Sequence, residues 1–200
     1  MIKNLLTPSR PRQLTAAAAC GFQVPPTLFT NNAFSVLQEE SLPNTLIYKT
    51  HNFFVFPLDG VLFTSRTAKS EVNLRAHNVA VAPGIYQPFI EKSHELRITV
   101  VGQRVYPARV NSQEREATRI DWREDQDENM FEATTLEASF EQKLLELQKC
   151  LGLRFGVYDF IVDTAGVSWF LEVNPVGQYL WLERRLGLPV SAGLALELLA

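Results

Sequence analysis

The chain has 200 residues, 46% hydrophobic and 20% charged, with 19 Lys+Arg against 22 Asp+Glu for a net charge of −3. A chain of this length buries roughly 70% of its unfolded surface, enough for one domain or two tightly joined subdomains, and its composition excludes disordered and fibrous classes. It has no basic block to neutralise nucleic-acid phosphates, no signal-like apolar start and no window of roughly 18 apolar residues, so a cytoplasmic protein with no nucleic-acid and no membrane partner is expected.

In chain order, Ser9, Pro11, the alanines at 16–19 and Gly21 predict a short helix through about Cys20, capped at its start by Ser9 and closed by the glycine. After VPPT at 24–27, residues 46–50 read as a strand. Residues 53–57 and 61–65 read as strands around Leu58-Asp59-Gly60, whose Asp-Gly pair signals a hairpin. Residues 85–90 are a further strand, and 96–101 and 104–110 pair across Gly102-Gln103. The segment 121–132 holds six acidic residues and one basic one and reads as an exposed loop. Thr134 and Glu137 have capping-box spacing for a helix that aligns Phe140, Leu144, Leu147 and Leu151 on one face and stops at Gly152.

Two strongly apolar strands follow at 154–163 and 167–174, joined by a turn around Thr164-Ala165-Gly166, and helices near 179–186 and 191–199 close the chain. The pattern is α+β: a lead-in at 1–26, a small hairpin-rich lobe at 27–90, and a larger antiparallel sheet backed by helices at 91–200. Cys20 and Cys150, each on the apolar side of a predicted helix and outside any CxxC or Cys/His cluster, read as reduced core thiols rather than a disulfide or metal site.

The chemistry concentrates in polar residues inside the two most apolar strands. FGVYDFIVD carries Asp159, and WFLEVNP carries Glu172 and Asn174. A buried carboxylate needs a partner, since an unpaired charge costs several kcal/mol or takes up a proton. Glu172 and Asn174 are two apart in a strand and share a face, and an even-numbered connection brings Asp159 to that face across the hairpin. Three hard oxygen donors, too few to fill an octahedron, suit Mg²⁺, which keeps waters and takes further ligands from nucleotide phosphates. The alternative is that Asp159 and Glu172 pair with arginines in a buried network while Asn174 caps the turn before Pro175.

Arg97 and Arg109 lie in the paired strands LRITVV and VYPARV, and their alternation with apolar neighbours places them on a face with other polar groups. Guanidinium forks suit phosphate, although solvated surface arginines fit the same pattern. Lys49 at the end of LIYK can meet a phosphate or simply snorkel. Only Gly60 lies between Lys49 and Gly84, so neither a Walker loop nor a GxGxxG turn is present. His51, His77 and His94 have no ligand spacing, and no nucleophile elbow supports Ser/His/Asp catalysis.

The succession VPPT, LIYKT, APGIYQPFIEKSHELRITVVGQRVYPARVNSQ, RIDWR and LGLRFGVYDFIVDTAGVSWFLEVNPVGQYLWLE resembles the ATP-grasp superfamily, and within it the graspetide synthetases, microviridin-type ligases that close macrocycles on ribosomal precursor peptides. The likeness runs from about Gln13 to the C-terminus and finds no counterpart of the N-terminal domain that precedes this region in relatives. It implies an ATP-grasp fold with ATP held between two lobes and the adenine against Gln87, Pro88, Phe89, Ile90 and Glu91. It also implies Lys49 on the α-phosphate side, Asp159, Glu172 and Asn174 as Mg²⁺ ligands, and Arg97 and Arg109 as catalytic arginines at the γ-phosphate and acyl phosphate.

The implied reaction phosphorylates an Asp or Glu side chain of a precursor peptide for attack by a Ser/Thr hydroxyl or Lys amine of the same peptide. Within the same resemblance stand a ligase that adds an amino acid to a peptide or protein, a non-catalytic nucleotide- or peptide-binding module, and a homodimeric assembly. Two departures stand out: Arg10 where relatives carry a lysine in the first helix, and the sequence THNFF after Lys49, which lacks the small residues of a phosphate-covering loop.

Overall fold

In a computed structural model of the chain, which describes residues 8–51, 55–56, 60–61, 64–125 and 127–199, helix α1 spans Arg10–Ala19. Ser9 stands at its N-cap but its hydroxyl makes no capping bond; the Ser9 carbonyl instead accepts the Gln13 N–H at 3.0 Å. The far end closes as expected. Gly21 takes φ +80°, and the Phe22 N–H returns to the Ala17 carbonyl at 3.0 Å, the left-handed stop that glycine permits.

The chain divides into two compact units, the smaller formed by the described residues of Pro25–Glu91 and Glu114–Gln126. It contains β1 (Leu28–Thr30), α2 (Ala33–Gln38), β2 (Thr45–Thr50), the short pair β3 (Val55–Phe56) and β4 (Gly60–Val61), β5 (Ser65–Ala68), α3 (Lys69–Leu74), α4 (Ala76–Val81) and β6 (Gly84–Pro88). Val55 pairs with Val61 and Phe56 with Gly60, so the two segments pair as expected, although Gly60 joins the ladder and Ser65 opens β5. The Leu58-Asp59 turn and the Asn52–Phe54 part of THNFF lie outside the described residues. The main sheet is antiparallel in the order β1-β6-β2-β5. Leu46 and Tyr86 on one face pack with Val36, Leu42, Val72 and Val79 from the helical side. Lys49 pairs with Ile85 and Ile47 with Gln87, so by the strand period these four share the opposite face.

The larger unit comprises the described residues of Met1–Val24, Lys92–Gln113 and Asp127–Ala200, and so includes the lead-in helix. Its strands β7 (Lys92–Val101), β8 (Arg104–Val110), β9 (Phe131–Ala133), β10 (Phe155–Asp163) and β11 (Ser168–Asn174) form an antiparallel sheet in the order β11-β10-β7-β8-β9. Helices α5 (Ala138–Leu151), α6 (Leu180–Leu186) and α7 (Val190–Leu199) complete it. Val101 opposite Arg104 confirms the two-residue link at Gly102-Gln103, with Gly102 at φ +56°.

One face of the sheet meets α5: Phe140 lies 5.2 Å from Phe160 between ring centroids, and the Tyr158 hydroxyl donates to Gln148 Oε1 at 3.3 Å. The other face meets the C-terminal segment, through Phe155 against Tyr179 and through Gly193, where a Cβ would strike the Tyr106 hydroxyl. Among the described residues no helix is long and apolar enough to cross a membrane.

Three expectations change. The capping box at Thr134 and Glu137 does not form: α5 starts at Ala138 with Glu137 at its N-cap, because the Thr134 N–H bonds the Pro107 carbonyl at 3.3 Å and extends the strand pairing instead. The acidic segment 121–132 is only partly a loop. It carries two 3₁₀ turns, and Phe131 is buried in β9 with its ring edge-on to Trp181 at 4.7 Å. The two cysteines are not core thiols: Cys20 is half-buried and Cys150 exposed, since the buried stripe of α5 runs through Leu144, Leu147, Gln148 and Leu151.

Candidate functional site

The register of the larger sheet decides which polar side chains meet. On β10, Asp159 stands directly opposite Glu172 of β11, and on its other side directly opposite Arg97 of β7. Opposed residues share a face, so Arg97, Asp159 and Glu172 form one row across three strands. Asn174, opposite Val157, lies on the same face. The ladder shifts between Asp159 and Phe160, a bulge immediately beside the carboxylate.

The row is half-buried and engaged. Arg97 Nη1 donates to both Asp159 oxygens, at 2.9 and 3.1 Å, and its Nη2 donates to the Gln178 carbonyl at 3.2 Å. Glu172 forms an ion pair with Arg10 of α1. The Asn174 side-chain oxygen accepts the Val176 N–H at 3.0 Å, closing the turn through Pro175. Arginine pairing and turn capping, the alternative open from the sequence, therefore describe these side chains as they stand. No cluster of three or more His, Cys, Asp and Glu able to hold a metal ion occurs among the described residues. The donor set still suits a hard cation, with two carboxylates and an amide oxygen on one face. The Arg10–Glu172 pair, each side chain 27% exposed, is the contact a cation at Glu172 would have to displace.

Gln13 of helix α1 is the part of this site that sequence reasoning missed. Gln13, 3% exposed, accepts the Val173 N–H at 3.0 Å and donates to the Pro8 carbonyl at 2.8 Å, so its amide occupies the free edge of β11. A polar residue on the buried side of an alanine-rich helix was the available signal. Gln23 extends the same edge, its carbonyl accepting the Phe170 N–H at 2.8 Å.

Arg109 does not join the row. Its register partner is Leu96, whereas Arg97 pairs with Ala108, so the two arginines project from opposite faces. Arg109 instead donates to Asn111 Oδ1 at 2.9 Å and pairs with Glu132 at 3.3 Å, 41% exposed. The expectation that Arg97 and Arg109 share a face fails because Gly102-Gln103 sets a register with an odd offset between them.

In the smaller unit, Gln87 is buried in β6 and donates to the Thr27 hydroxyl at 2.9 Å. Pro88 ends the strand, the Phe89 N–H bonds the Thr45 carbonyl at 3.2 Å, and the Phe89 ring carries the Arg66 guanidinium 4.5 Å above it. Ile90 is half-buried and Glu91 exposed beyond the strand. A cleft of about 370 Å³ in this unit opens against Tyr48, Val72, Val79 and Tyr86, on the helix side of the sheet and away from the face of Lys49 and Gln87.

Among the described residues of this unit, Asp121 is a strongly perturbed acid. Burial alone would raise its pKa, but hydrogen bonds and charge from Arg123 and the backbone N–H groups of Arg123 and Thr64 pull it down to about 2.

No protein-family model and no curated protein matches the chain. Solved structures do. A RiPP-associated ATP-grasp ligase of Chryseobacterium gregarium, in complex with ADP and a leader and core peptide, is 30% identical with a TM-score of 0.84, over 94% of this chain and 58% of its own. The macrocyclase MdnC of Microcystis aeruginosa, bound with the precursor peptide MdnA, is 33% identical with a TM-score of 0.77, over 93% of this chain and 58% of its own. A D-cycloserine synthetase, 16% identical with a TM-score of 0.63, shares the fold. The chain thus spans less than two thirds of the ligases it matches, and across that span its described residues share the ATP-grasp fold with them.

Proposed function

We propose that the chain works as an ATP- and Mg²⁺-dependent ligase that activates an Asp or Glu side chain of a precursor peptide. The observation that carries this reading is the direct opposition of Asp159 and Glu172, with Asn174 on the same face, in a fold shared with ligases whose structures hold ADP and peptides. When bound, Mg²⁺ supplies charge neutralisation for the phosphate oxygens. Asp159, Glu172 and Asn174 are the proposed ligands. Arg97, fixed beside Asp159, is the proposed catalytic cation for the transferring phosphoryl group, by the bidentate geometry that guanidinium offers phosphate. Lys49 and the residues Gln87, Pro88, Phe89, Ile90 and Glu91 are proposed nucleotide contacts. Arg109, on the opposite face and paired with Glu132, is a weaker candidate for that chemistry.

In the proposed reaction a peptide carboxylate oxygen attacks the γ-phosphorus and ADP leaves. A Ser/Thr hydroxyl or Lys amine of the peptide then attacks the acyl carbon, inorganic phosphate departs with the bonding pair, and the nucleophile's proton passes to solvent. The protein contributes position and positive charge, the main contributions available to it in phosphoryl transfer.

Incubation with ATP, Mg²⁺ and a peptide rich in Thr, Ser, Lys, Asp and Glu tests it. ADP release with a peptide lighter by one water supports crosslinking. A peptide heavier by an amino-acid residue reassigns the chain as an adding ligase, and nucleotide binding without ADP release reassigns it as a binding module.

A further inference from the structure

The Sγ atoms of Cys20 and Cys150 lie 4.0 Å apart, although the two residues are 130 positions distant in sequence. Cys20 is the C-cap of α1 and Cys150 belongs to the last turn of α5. The helices are already held together around this point. Phe22 packs edge-on against Phe140 with centroids 5.1 Å apart, and Lys143 Nζ donates to the Gly21 carbonyl at 3.4 Å. A disulfide needs the sulfurs at about 2.05 Å, a gap that side-chain rotation can close when the backbones are already fixed side by side. The environments also differ in a useful way: Cys150 is exposed and Cys20 half-buried.

We propose that Cys20 and Cys150 are a redox-active pair that closes an intramolecular disulfide between α1 and α5. Oxidation by a small disulfide such as oxidised glutathione balances as two exchanges. The exposed Cys150 thiolate attacks one glutathione sulfur, forming a mixed disulfide and releasing one glutathione thiolate. Cys20 then gives up its proton and attacks Cys150 Sγ, forming the protein disulfide and releasing the second glutathione.

The order follows from the surroundings. Burial, the adjoining Cys150 sulfur and the Glu146 carboxylate push the Cys20 thiol up to about 11, so it is a poor first attacker and serves as the resolving thiol. The consequence falls on α1, the helix that brings Arg10 to Glu172 and Gln13 to the edge of β11. In the oxidised form that helix is bonded covalently to α5, which fixes its docking on the strand of Glu172 and Asn174. The pairing stands independently of the ligase reading.

The test equilibrates the full chain in reduced and oxidised glutathione, blocks free thiols with an alkylating reagent, and reads intact mass, linked tryptic peptides and thermal unfolding. The expected product is a monomer lighter by two hydrogens, with the Cys20 and Cys150 peptides joined and Tm raised by roughly 5–15 °C, reversed by dithiothreitol. The variant C20S should stop at glutathione on Cys150 and gain no Tm. Stable glutathionylation of Cys150 in the unaltered chain, crosslinks between chains, or a joined pair with no rise in Tm would each overturn the proposal.

Discussion

Arg97 faces Asp159 across the β7–β10 ladder, and its Nη1 reaches both carboxylate oxygens, at 2.9 and 3.1 Å. With side chains only 11% and 18% exposed, this pair lies in a protein-like rather than a watery dielectric. Removing Arg97 takes both of these bonds from the Asp159 carboxylate. Arg97→Met should destabilise the chain by about 1–3 kcal/mol in urea unfolding, and adding Asp159→Asn should restore part of that loss. Equal stability of the single variant and the unaltered chain would show the pair to be solvated.

The Arg10–Glu172 pair behaves differently because both side chains are 27% exposed. Such a contact is worth about 0–1 kcal/mol, so Arg10→Ala should leave unfolding almost unchanged. It also removes the cation that competes for the Glu172 oxygens. ADP titrated by calorimetry in the presence of Mg²⁺ should bind about fivefold tighter to the variant. Weaker binding would mean that Arg10 assists the bound state instead.

Helix α5 ends at Gly152 with φ +71° and open space around its Cα. An added Cβ there meets nothing, so only backbone strain opposes it. Gly152→Ala should lower stability by about 1 kcal/mol, seen as a Tm lower by roughly 2–4 °C.

Much of this molecule is legible from alternation and glycine placement alone. The apolar strands around Asp159 and Glu172, the Gly102-Gln103 link and the stops at Gly21 and Gly152 all follow local rules, whereas Asp159 meets Glu172 only because a bulge shifts a turn register that sets Val162 opposite Ser168. The failures come from tertiary competition. Thr134 could cap a helix, but a free strand edge at Pro107 claims its N–H first. Cys150 lies next to the apolar positions of α5 in sequence, yet one residue is a 100° rotation, enough to turn it to solvent. Arg97 and Arg109 both alternate with apolar neighbours, and nothing in either strand by itself tells which face each takes; the link between them does. Arg10 and Gln13 meet β11 only through folding, and a glutamine on the buried side of an alanine-rich helix is the one local trace of that contact.

In the smaller unit, Asp121 is held at about 2 against an ordinary value near 3.8, by Arg123 and two backbone N–H groups that outweigh its burial. A carboxylate whose folded pKa is depressed contributes stability above its unfolded pKa and loses it as pH falls through the folded one. The window is therefore about pH 4 down to 2, with about 2 kcal/mol at stake. Urea midpoints recorded between pH 6 and 2 should fall more steeply at the acid end for the unaltered chain than for Asp121→Asn; parallel curves would remove Asp121 from the acid response.

The cation site is tested most directly by titrating ADP into the chain by calorimetry, with and without Mg²⁺, for the unaltered protein and for Glu172→Gln, with circular dichroism confirming that the variant folds. Binding that requires Mg²⁺ and weakens by about tenfold or more in Glu172→Gln is expected. Equal affinity in the two proteins, or heat of binding indifferent to Mg²⁺, would contradict a cation held by Asp159, Glu172 and Asn174.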